Sequence, residues 1–178
     1  FLQLKAAALL TLNIMSEAIK KNMVLKDANP SNIMFIKGKP IFIDHGSFTK
    51  YVDGDGWIAY KQFLETFLAP LAISSHTERT IKSIFLDHIN GINLKIAAKT
   101  LPWKSKLSLG LFIHIHGAAK HIYTKSASKT RLSLKDVEKL IMHLKDTIVK
   151  LESSTQSIWS NYYELTHEKQ YYENRWTI

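Results

Sequence analysis

Apolar residues at Leu4, Ala7, Ala8, Leu12, Met15, Ala18 and Ile19 recur at spacings of three and four, the period at which side chains fall on one face of an α-helix. The pattern predicts a helix over 2–21 that buries this stripe and stops at Asn22. The period is then lost over 25–32, where Asp27, Asn29, Pro30, Ser31 and Asn32 favour turns and caps. Two short apolar runs follow, 33–36 and 40–44, joined by Lys37, Gly38 and Lys39. Such runs around a glycine-bearing break predict a tight β-hairpin, and a lone two-stranded ribbon needs a larger support, which the preceding helix supplies.

Beyond the hairpin the helical period dominates. Trp57, Tyr60, Phe63, Phe67 and Leu71 form a core-facing stripe, and helices are expected over 57–69, 78–88, 94–100, 107–124 and 134–151. Ser133 is a suitable N-cap for the last, with Asp136 in its first turn. The alternating Asp and Gly of 53–56 resemble the start of a calcium loop, but the later ligand positions and terminal Glu are missing, so a turn is expected. The run 125–131 reads as an exposed connection. Residues 153–157 form a polar break, and the aromatic-rich stretch beyond it reads as a segment that docks on this unit or on a following domain. The division predicted is therefore a helical unit over 1–152 and a linker or docking segment over 153–178.

Composition narrows the function classes. A chain of 178 residues with 46% hydrophobic residues can bury one core. The absence of cysteine removes a disulfide framework, a thiolate nucleophile and a cysteine-ligated zinc, and it fits a cytoplasmic setting. No apolar run reaches the roughly 18 residues of a membrane span, so no membrane partner is expected. The net charge of +9 favours anionic ligands. Its lysines are dispersed through helical patterns without interleaved aromatics, which argues against nucleic acid. Because the chain opens on Phe1 inside a helical pattern, it is expected to be a piece of a longer protein.

The chemistry-bearing stretch supplies Asp27, then Asn32 five positions on, then Asp44 at the end of the second hairpin strand, followed by His45 and Gly46. An amide and a carboxylate are hard oxygen ligands for Mg²⁺, and a further carboxylate can orient a hydroxyl and take its proton, which is the set phosphoryl transfer requires. Lys26 either contacts a phosphate or pairs with Asp27. His114, His116 and His121 suggest a metal site, but residues two apart on a helix diverge, so packing or cleft-lining roles are expected.

The Asp-x-x-Pro-x-Asn loop formed by Asp27, Pro30 and Asn32, with the apolar strand ending in Ile43 and Asp44, resembles the catalytic loop and metal-binding turn of the protein-kinase-like superfamily, particularly its aminoglycoside and choline kinase branch. The resemblance implies a mainly α fold with a small β-hairpin (α+β), the C-terminal lobe of a protein-kinase-like fold. It implies Asp27 as catalytic base, Asn32 and Asp44 as Mg ligands, and ATP or another nucleotide as cofactor, completed by an upstream lobe. Leu25 stands where the family usually has His, and Lys26 where protein kinases have Arg.

A second resemblance runs through most of the chain. Residues 5–12, 25–32, 40–48 and 57–71, continued by 91–94, 101–103, 114–116 and 159–163, are similar to the region preceding the class I S-adenosylmethionine-dependent methyltransferase domain in a bacterial family that includes nodulation-type proteins. This implies a kinase-like accessory module, regulatory or substrate-presenting, with S-adenosylmethionine bound only by a downstream methyltransferase domain. An active small-molecule phosphotransferase and a purely structural interaction module are the alternatives.

Overall fold

A computed structural model describes residues 1–121 and 132–154. The expectations for 125–131 and for the aromatic stretch beyond 154 lie outside the described residues. Helix α1 (Leu2–Lys20) buries the whole stripe read from the sequence, together with Thr11. After the C-cap Lys21 the chain turns at Asn22, whose backbone is left-handed with φ of 57°, a conformation Asn tolerates better than most residues.

The chain then forms β1 (Met23–Leu25), β2 (Ile33–Ile36), β3 (Lys39–Phe42) and β4 (Phe48–Lys50). Strands β2 and β3 are the expected antiparallel hairpin, with Ile33 opposite Phe42 and Ile36 opposite Lys39. Its two-residue turn places both Lys37 and Gly38 at positive φ, 48° and 77°, the geometry whose twist matches the flanking strands. The second strand thus starts at Lys39 and ends at Phe42, not over 40–44. A second antiparallel pair, β1 with β4, joins Met23 to Lys50 and Leu25 to Phe48. The sequence reading of a single hairpin is corrected here, because β1 is three residues long and gains its partner from a segment more than 20 residues on.

Helix α2 runs over residues 60–76 in three continuous parts, with a wide π turn at Leu64–Leu68. The expected end at 69 is overtaken. Pro70 lacks an N–H and would crowd the carbonyl four residues back, and the wide turn immediately before it accommodates both defects. Helices α3 (Ile81–Asp87), α4 (Leu94–Thr100), α5 (residues 109–121) and α6 (Leu134–Val149) follow. Ser133 caps α6 with a reciprocal box to Asp136. Lys5 of α1 donates to the carbonyls of Val149 and Leu151 at 2.8 and 2.7 Å, so a cation closes the negative end of α6.

The core is one cluster in which Phe63, Phe67, Leu68 and Leu71 of α2 meet Leu12 and Met15 of α1 and Ile141 and Leu144 of α6. The described residues are thus mainly helical with two small antiparallel sheets, an α+β arrangement. No described helix is long and apolar enough to cross a membrane.

Candidate functional site

The loop 25–32 is fixed from below by buried groups. The Leu25 amide donates to Met15 Sδ at 3.3 Å, and Trp57 Nε1 donates to the Leu25 carbonyl at 2.9 Å. Leu25 is wholly buried, so packing and main-chain bonds hold the start of the loop.

Ser47 is the hub that brings Asp27 and Asp44 together. Its hydroxyl donates to the Asp27 carbonyl at 3.0 Å and accepts from the Asp27 amide at 3.2 Å. Its own amide donates to the Asp44 carbonyl at 3.4 Å. The Asp44 carboxylate caps the short turn His45–Ser47 by accepting from the Gly46 amide at 3.0 Å. Asn32 is tied to the same place through its carbonyl, which accepts from the Ile43 amide at 2.9 Å. All three residues named from the sequence therefore share one connected backbone region, and each is half-buried.

Gln62 is the residue sequence reasoning missed. Its Nε2 donates to Asp27 Oδ1 at 2.7 Å, and its Oε1 accepts from the Ala28 amide at 2.8 Å. One α2 side chain therefore fixes both the carboxylate and the backbone after it. Thr66, one turn along α2, donates to the Ala28 carbonyl at 3.2 Å. No local motif flags Gln62, since it lies 35 residues from Asp27 and sits among core-facing aromatics. Lys26 is exposed and forms no ion pair with Asp27, so the pairing alternative is not the one realised.

Two further features define the site. The Asn32 Nδ2 atom is buried without a hydrogen-bond partner, a state that costs about 1–3 kcal/mol when nothing compensates it. Rotating the amide exchanges its nitrogen for its carbonyl oxygen at that position, which is the atom a hard cation takes. Asn32 and Asp44 together thus fit Mg²⁺ by donor type. Next to them, the outer face of the hairpin leaves Met34, Ile36, Ile41 and Ile43 between 42% and 51% exposed, with Met34 directly opposite Ile41. This is an apolar sheet face adjoining a polar, cation-compatible edge.

Behind α2 lies a buried polar chain. Tyr60 Oη and His114 Nδ1 are 2.7 Å apart, and His114 Nε2 and His143 Nδ1 are 2.8 Å apart. Burial and then the nearby His143 push the His114 pKa down to about 4, so the imidazole is neutral near pH 7. His116 instead meets Ser105 at 2.8 Å. The two histidines turn to different partners, as their spacing implies.

With this geometry in place, the relatives of the chain can be compared. It is 32% identical over 174 residues to Nodulation protein NoeA of Rhizobium meliloti (strain 1021), an alignment covering 91% of this chain and 36% of the relative. The chain is homologous to a bacterial nodulation protein. It spans a little over a third of the length of that curated relative. No family model matches the chain, and no solved structure matches it.

Proposed function

We propose that the chain is a kinase-like module that binds a magnesium nucleotide or a phosphorylated ligand, serving a regulatory or substrate-presenting role within a longer nodulation-type protein. The observation that supports this reading is the tie of Asp27 and Asp44 through Ser47 and of Asn32 to the adjoining Ile43, with an unpartnered Asn32 amide beside an exposed apolar sheet face. Asn32 and Asp44 are the residues that would hold Mg²⁺, which when bound neutralises phosphate charge. The face formed by Met34, Ile36, Ile41 and Ile43 offers apolar area to a flat ring, and the exposed Lys26 offers a cation to a phosphate. The share of the relative lying beyond the alignment leaves room for a further catalytic domain. A methyltransferase that binds S-adenosylmethionine is the candidate for it, on the resemblance of the sequence.

Active phosphotransfer to a small molecule is the second reading, and the Gln62 contact favours it. By holding Asp27 Oδ1 it fixes the carboxylate in one orientation, which a base that must meet an acceptor hydroxyl requires.

The experiment is a thermal melt and calorimetric titration of the protein carrying this chain, with ATP in the presence and absence of Mg²⁺. The binding reading expects a rise in Tm that needs both, and that Asp44→Asn removes while the unliganded Tm is unchanged. If neither nucleotide nor metal moves the Tm, the module is a structural interaction unit. The active reading further expects phosphate release or transfer that Asp27→Asn abolishes without loss of nucleotide binding.

A further inference from the structure

On another part of the surface, α4, the turn Trp103–Leu107 and α5 enclose a pocket of about 370 Å³. Its rim carries Lys95, Lys99, Lys106 and Lys120, and its floor is made of Ala98, Gly117, Ala119 and the exposed ring of Phe112. No carboxylate lines it.

Lys99, Lys106 and Lys120 have no carboxylate partner among the described residues. The buried His116, anchored to Ser105 at 2.8 Å, also lines this pocket. Burial, then Lys106 and Lys120, hold its imidazole below the ordinary histidine range, so the field of the two lysines reaches the pocket wall. Lys99, Lys106 and Lys120 around one pocket with an apolar floor favour an anion there, and a cavity of this size lies in the range that small ligands fill.

We propose that this pocket binds a small organic phosphate monoester, its phosphate held by Lys99, Lys106 and Lys120 and its apolar body lying on Phe112. A phosphate monoester carries close to two negative charges near pH 7, which suits a ring of point-charge ammonium groups. The lysine stems themselves extend the apolar lining.

The test is a calorimetric titration of the chain with phenyl phosphate in magnesium-free buffer containing a chelator, with the ring signals of His116 followed by NMR. Saturable one-to-one binding that shifts the His116 signals is expected. The double variant Lys99→Glu with Lys106→Glu should weaken it by about tenfold or more, a change of about 1.4 kcal/mol per factor of ten. The pair Lys37→Glu with Lys39→Glu at the β2–β3 turn, neither of which lines the pocket, makes the same change in net charge and should weaken it by less than about twofold. Asp44→Asn should leave binding intact, which separates this pocket from the nucleotide site. Equal losses in the two lysine pairs would show diffuse attraction to a basic protein and overturn the proposal. So would phenyl phosphate binding no more tightly than inorganic phosphate, or binding that leaves the His116 signals unmoved.

Discussion

Substituting Gly110→Ala sets two opposing effects against each other, and the structure decides between them. Within a helix, alanine is favoured over glycine by about 0.8–1.0 kcal/mol, so local propensity alone makes the variant more stable. A Cβ at position 110, however, would lie 2.0 Å from Thr147 Oγ1, 2.6 Å from its Cγ2 and 2.8 Å from its Cβ. Rotating the threonine side chain moves the first two atoms but leaves its Cβ in place. Carbon atoms pack best at about 3.5–4.0 Å, so α5 and α6 must separate by roughly 1 Å, and overpacking of this kind costs about 1–3 kcal/mol.

The separation would also strain the His114 to His143 contact, which spans the same two helices. After the propensity gain is set against the clash, a net loss of about 1 kcal/mol remains, so urea unfolding followed by circular dichroism should show the midpoint falling by about 0.5 M, at the usual slope of about 1–3 kcal/mol per M. Adding Thr147→Ala removes two of the three clashing atoms, so the double variant should recover part of the loss, with a coupling of about 0.5–3 kcal/mol in the cycle. A Gly110→Ala protein as stable as the parent, or a cycle with no coupling, would refute the close helix contact.

Three further outcomes are expected. His114 is neutral in the fold down to about pH 4, whereas the unfolded chain protonates it near 6.5. Stability tied to this residue is therefore complete above about pH 6.5 and is lost as pH falls toward 4, by about 3 kcal/mol at 1.36 kcal/mol per pH unit; denaturation midpoints across that window should fall less steeply in His114→Gln, and an unchanged slope would count against the buried chain. Gln62→Leu removes the donor to Asp27 and strands the Ala28 amide, so Tm should fall in line with a loss of about 1–3 kcal/mol. The same variant should weaken magnesium-nucleotide affinity, measured by calorimetry, and undiminished affinity would remove Gln62 from the positioning of the site.

What the sequence by itself determined is whatever local periodicity and turn chemistry encode. The α1 stripe, the Lys37 and Gly38 turn, the Asn22 stop and the Ser133 cap were each legible because every participating residue lies within a few positions of the next. The same holds for the loop carrying Asp27 and Asn32, whose turn formers are contiguous. Tertiary structure alone decided the pairing of β1 with β4, the passage of α2 through Pro70, and the contacts of Gln62 with Asp27 and Ala28. It also decided the chain from Tyr60 through His114 to His143, and the gathering of lysines from α4, the 103–107 turn and α5 into one pocket. These join residues from separate elements, and a hydrogen bond or a shared cavity between such residues leaves no period in the sequence. Core packing sets which helix faces meet, and only then does it become fixed which polar groups are partnered and which, like the Asn32 amide, are left without a partner.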